Sequence, residues 1–193
     1  MNRQVFQLTA LLILLPATAG AQQSVSLRIE GFEGFSWGTA QEVILDSLGE
    51  PVQADTIDDD IVVLAFESTI DDTASIAMFA FFPGQGLVKG QHSIAFDASV
   101  DCVALFREMR HFLLLKYPMI VPLDRSRNDS SKGFCDAVAE GDAAWISSWE
   151  DSQTGARALV SIEAGHPRLN VVFESAEFIA WVEDAERATE PEP

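Results

Sequence analysis

The chain has 193 residues, 48% of them hydrophobic, so it can bury a core of its own without a metal or a dense set of disulfides. Its 30 acidic residues outnumber its 12 basic ones for a formal net charge of −18. That balance excludes nucleic acid and anionic lipid as natural partners and favours basic proteins or cations.

Residues 1–21 carry the pattern of a secretory signal peptide: Arg3, an apolar run from Leu8 to Leu15, then Pro16 and small residues allowing a cut after Ala21. The apolar run is far below the ~20 residues that span a bilayer, so no stable membrane insertion is expected. A periplasmic or secreted location follows. The rest reads as a single α+β domain over 22–187, with similar helix–strands–helix halves at 22–117 and 118–187, and a disordered tail at 188–193.

Val25, Leu27 and Ile29 alternate with polar residues as a short strand would. The segment Phe32–Gly38, rich in glycine and aromatic rings, leads to Thr39-Ala40-Gln41-Glu42, which has the form of a capping box. A helix carrying Val43, Ile44 and Leu48 then stops at Gly49, with Pro51 beyond. Residues 52–98 predict an antiparallel meander. Ile61–Phe66 and Ile76–Phe82 are apolar on both alternating faces, and Pro83-Gly84 suits the centre of a type II turn. Asp58-Asp59-Asp60 and Asp71-Asp72 mark acidic turns.

A second helix is predicted from a Ser99 cap to about Tyr117, with Cys102, Leu105, Phe106, Met109, Phe112 and Leu113 on one stripe. Pro118 and Pro122 end it, and a polar loop runs on to Gly133. The second half predicts a helix at Phe134–Glu140, strands near Ala144–Trp149, Ala156–Ile162 and Leu169–Phe173, and a last helix over Ala176–Arg187. Two cysteines in an exported chain imply one disulfide, Cys102–Cys135.

Phe32-x-Gly34-x-x-Trp37-Gly38, continuing to Leu48-Gly49 and Pro51, resembles a motif of small exported bacterial domains. The helix-then-meander order is similar to BamE-like envelope-assembly lipoproteins and to β-lactamase-inhibitor proteins. The resemblance implies an α+β fold that works as a binding surface without a catalytic site. The chain departs from the lipoproteins in lacking a lipid-attachment cysteine after the leader. It also has Pro118 after Lys116-Tyr117, where such domains often have glycine.

Gly34-Phe35-Ser36-Trp37-Gly38 fits G-x-S-x-G, the pattern of a nucleophile elbow. An elbow needs an assembled parallel sheet beneath it, and at most one strand precedes Ser36. A small serine hydrolase using Ser36 is therefore the alternative reading, not the first. The histidines His92, His111 and His166 lack zinc-ligand spacing, and the acidic turns offer at most a weak cation or small-ligand carrier. No metal site and no cofactor is expected, and residues 129–133 carry no phosphate-loop pattern. Trp145 and Trp149 share one face of a strand with Ser147 and are the candidate contact residues for a sugar or protein partner, against the stronger reading that a helix covers this face, since indole rings are bulky core material. The expectation is an exported, non-enzymatic binding, envelope-assembly or inhibitor-like module that engages a protein partner of basic character.

Overall fold

A computed structural model describes residues 28–57, 61–96, 100–129, 131–162, 165 and 167–189. Residues 1–27, with the expected leader and the strand residues Val25 and Leu27, and Asp58-Asp59-Asp60, Ser99, His166 and residues 190–193 lie outside them. The elements in chain order are β1 (Gly31–Phe32), β2 (Phe35–Ser36), α1 (Gln41–Leu48), β3 (Gln53–Ile57), β4 (Ile61–Ile70), β5 (Thr73–Phe82) and β6 (Gly86–Ala95). There follow α2 (Cys102–Lys116), β7 (Leu123–Asn128), α3 (Phe134–Glu140), β8 (Ala143–Glu150), β9 (Arg157–Ile162), β10 (Arg168–Glu174) and α4 (Ala176–Thr189). The protein is α+β, with the helices packed on antiparallel sheet.

β1 and β2 form a hairpin of their own, and the other eight strands make one sheet in the order β3-β4-β5-β6-β10-β9-β8-β7. Two four-stranded meanders thus join through the antiparallel pair β6–β10, so the halves read from the sequence share a continuous sheet. The helices cross the seam. α2 follows the first meander but packs on β9 and β10, while α4 follows the second and packs on β6.

Turn chemistry sets the registers. Asp71 and Asp72 both have positive φ, 46° and 63°, the requirement at both centres of a two-residue hairpin, and aspartate tolerates it. Pro83 and Gly84 hold the centre of the β5–β6 turn, with Gly84 at φ 71° and Gln85 N–H donating to Phe82 O at 3.1 Å.

Alternation along the strands gives the sheet two unlike faces. One carries the row Leu64, Phe79, Gly90, Phe173, Ala158 and Trp149, and next to it Phe66, Ala77, His92, Val171, Val160 and Ser147. α1, the β1–β2 hairpin, α2 and α3 cover this face. Ile44, Phe32, Phe106, Met109, Leu113 and Val138 are buried there in the main core. Trp145 stacks on Phe106 with centroids 4.1 Å apart. The Cys102–Cys135 disulfide joins the first turn of α2 to α3, with a Cα separation of 5.8 Å.

Several local expectations change. Thr39 does not cap α1: its hydroxyl donates to Ser36 O at 2.7 Å, and the N-cap is Ala40, which makes no side-chain cap bond. The turn after β2 thus takes the hydroxyl that a capping box would use. Helix α2 is capped by Asp101, whose carboxylate accepts from the Val103 and Ala104 N–H groups. The polar stretch after Pro122 contains β7, an edge strand exposed along its whole length. Ala188 and Thr189 continue α4.

Candidate functional site

The hairpin Gly31–Ser36 is fastened to the centre of the sheet at two points. The Phe32 ring lies over Gly90, 4.9 Å from the Phe79 ring and 5.5 Å from the Phe173 ring by centroid. Glu33 occupies the tip with φ 52°, unusual for a long side chain, and reaches His92, whose Nε2–H donates to Glu33 Oε1 at 2.9 Å. The other ring nitrogen, Nδ1, meets Ser75 Oγ at 3.0 Å. His92 holds the Glu33 carboxyl below the usual carboxylate range, against the opposing effect of burial, and the Lys116 charge acts in the same sense. Burial lowers the Lys116 ammonium, which sits 4.9 Å from the Phe173 ring centroid, and raises the Tyr117 phenol.

Serine, histidine and glutamate in one hydrogen-bonded chain invite comparison with a nucleophilic triad. The exposure gradient runs the wrong way. A triad presents its serine to substrate and buries its carboxylate. Here Ser75 and His92 are buried, His92 at 1%, while the Glu33 side chain is 41% exposed. Both His92 nitrogens are engaged, so the chain acts as a clamp that satisfies a buried imidazole and holds the hairpin down. A cleft beside it is lined by the apolar Leu48, Val52, Phe66, Ala77 and Phe79 and by Glu33, Glu50, Glu67 and Ser68, so apolar and acidic groups share it about evenly.

Ser36 stands exposed on β2, and His92 is committed to Ser75 and Glu33. His111 is exposed on α2. Gly34 and Gly38, both at φ 81°, serve the turns of this hairpin, and Trp37 donates its Nε1–H to Ile29 O at 3.2 Å. The G-x-S-x-G spacing therefore belongs to a tight aromatic turn and not to a strand-to-helix elbow over a parallel sheet. Among the described residues, no group of three or more His, Cys, Asp or Glu side chains gathers to hold a metal. Asp124, at the head of the polar stretch, is an ion-pair partner of Arg110 at 2.8 Å.

Trp145 and Trp149 share a face, as their spacing indicates, and that face is the covered one. Trp149 is fully buried, its Nε1–H without an acceptor, and Trp145 is sandwiched by Phe106 of α2 and Phe134 of α3. Their indoles are core material in this fold.

The opposite face keeps part of its side chains accessible, Ile76, Met78, Gln91, Asn170, Leu159 and Ile146 among them, while Ala65, Ser93, Ser161 and Val172 are buried within it. Among the described residues only α4 lies on it, at the end marked by Phe82 and Lys89. Beyond α4 run two rows: Ala65, Met78, Gln91, Val172, Leu159 and Ser148, then Glu67, Ile76, Ser93, Asn170, Ser161 and Ile146. Ile76 is 36% and Ile146 37% exposed, and Gln91 donates to Asn170 Oδ1 at 3.0 Å between them. Apolar side chains around a hydrogen-bonding middle match the mixed character of protein contact surfaces. The apolar run Ile76–Phe82 is thus covered along one face and, on the other, only at its Phe82 end among the described residues.

Under α4, buried Glu174 takes ion pairs from Lys89 at 3.2 Å and Arg157 at 2.6 Å. On α4 itself Trp181 is 42% exposed, packed on Phe82 and Phe178 at 5.5 and 5.8 Å between centroids. Sequence reasoning passed over Trp181. The available signal was its place on the helix surface beside Phe178, Ile179 and Val182, which take the core side.

No described helix is long and apolar enough to cross a membrane. No protein-family model, curated protein or solved structure matches this chain.

Proposed function

We propose that this chain is an exported, non-enzymatic module that binds a protein partner on the open face of its eight-stranded sheet. The observation that carries this reading is the asymmetry of the sheet: one face packed under three helices and a hairpin, the other holding Ile76, Met78, Leu159 and Ile146 with, among the described residues, only α4 beside them. Exposed apolar side chains set among hydrogen-bonding groups are used for contact far more often than for chemistry. Export to the periplasm or beyond is supported by the leader-like residues 1–21 and by the disulfide, which persists in oxidising compartments. The motif resemblance to envelope-assembly and inhibitor-like domains supports the same class of role.

The test is position-specific photocrosslinking in cells that make and export the protein. A photoreactive residue at Ile76 or Ile146 should capture the same partner. One at Leu115, an exposed apolar residue of α2 on the other side, should not. Identical products from all three positions, or none from any, would overturn the reading. The Ser36 hydrolase has no observation in its favour, since no histidine among the described residues serves that hydroxyl.

A further inference from the structure

We propose that the α4 end of the open face receives a lysine- or arginine-bearing segment of the partner, with its cationic group seated on the Trp181 indole. This rests on the open-face reading and names the chemistry of what it binds.

Trp181 is an exposed indole held in place from below by Phe82 and Phe178, so its free ring surface is presented without the freedom of a lone side chain. Glu177 precedes it by four residues, which puts its exposed carboxylate on the same side of the helix, while Asp184, three residues on, is taken up by Arg187. Glu183 and Glu186 add to the acidic surface of α4, where Arg187 is the one base and is paired with Asp184. The bases nearest to this helix on the sheet, Lys89 and Arg157, are engaged by buried Glu174 and do not offset that field. An indole beside the Glu177 carboxylate attracts a guanidinium or ammonium group by cation–π and charge together. A chain with net charge −18 also steers cationic partners toward itself. Phe82, which Trp181 packs on, lies on the same face of β5 as Met78 and Ile76, so an extended segment running along that strand can place a cation on Trp181 and apolar side chains on the sheet.

The probe is fluorescein-labelled hexaarginine, followed by anisotropy at low and moderate salt, with hexaglutamate as the charge control. Hexaarginine should bind and hexaglutamate should not. Trp181→Leu should weaken binding about two- to fivefold, and Trp181→Tyr less. Glu177→Gln should weaken it more than Glu108→Gln, an identical charge change on the exposed side of α2. Thermal unfolding of each variant reports whether α4 remains docked. Equal affinities for wild type and a folded Trp181→Leu, or equal effects of the two glutamine variants, would reduce the binding to diffuse attraction and overturn the proposal. If Ile76 and Ile146 still crosslink one partner in that case, the open-face reading survives without it. If those crosslinks also fail, both fall.

Discussion

The ring of Phe32 occupies the space that a side chain on Gly90 would need: a Cβ built there stands 2.0 Å from Phe32 Cγ. The absence of one carbon in the middle of β6 is what lets the N-terminal hairpin lie flat on the sheet centre. Gly90→Ala should cost about 1–3 kcal/mol through overpacking, and Phe32→Ala about 3–5 kcal/mol through the cavity it leaves. The double variant should lose less than the sum, because removing the ring makes room for the new methyl. Urea unfolding of the three variants checks this. Strict additivity would mean that the ring and Gly90 do not share that space.

Glu33 couples this hairpin to pH. Its carboxyl titrates below the ordinary range because His92 bonds its charged form. A depressed carboxyl contributes stability that is present above the unfolded value, about 4.3, and is lost as pH falls through the folded one. Glu33→Gln keeps an acceptor for Nε2–H but removes the titration. Its deficit against wild type should therefore be small at pH 7 and vanish toward pH 3. Glu33→Gly asks a different question. It relieves about 1 kcal/mol of left-handed backbone strain but leaves buried His92 short of a partner, at about 1–3 kcal/mol, so a net loss is expected. A Glu33→Gly protein more stable than wild type at pH 7 would show that the His92 bond is the weaker term.

The bulge in β6 explains why the His92 clamp was not legible in the sequence. From the Pro83–Gly84 turn alone, pairing Phe82 with Gly86 and Phe81 with Leu87 would place His92 opposite Ile76. The shift between Ala80 and Phe81 moves it opposite Ala77, and a one-residue slip turns a strand over. His92 consequently faces the core and Ser75. Elements with strong local signals, such as α3 and the Pro83-Gly84 turn, were readable. β7 was not, since an edge strand exposed along both faces has no apolar alternation to betray it. Trp145 and Trp149 were correctly placed on one face, but which face a helix would cover depends on α2 crossing to the other meander, a long-range choice.

The disulfide should matter most to the seam between the halves. It ties α2, which lies across β9 and β10, to α3 on β8, closing a loop with a sequence separation of 33. Replacing both cysteines by serine should lower unfolding free energy by about 3 kcal/mol. Cys102 is fully buried, so reductant should act slowly on the native protein and quickly once denaturant is present. Denaturation curves that do not change with the double replacement would remove the disulfide from the account of stability.

Asp151 is the last anchor of the chain's N-terminal approach to the hairpin. Burial by itself would raise its carboxyl, but N–H groups of Gln153 and Ile29 bond it and carry it below the usual range, with Thr154 adding to them. The bond from Ile29, at 3.1 Å, joins residues 122 apart in sequence, and Ile29 O in turn accepts from the Trp37 indole N–H. Asp151→Ala takes their acceptor from three N–H donors, those of Ile29, Gln153 and Thr154, the first on a fully buried residue, and should cost about 2–3 kcal/mol at neutral pH. The sign of the pH dependence follows from the depressed carboxyl: the difference from wild type should be full above about pH 4 and shrink as acid protonates Asp151 in the folded wild type. Hydrogen exchange separates local from global effects. Faster exchange at the Ile29 amide and the Trp37 indole, with β5 and β10 amides changed only by the global loss, is the expected pattern. Unchanged protection at Ile29 would mean that Asp151 serves its own turn alone.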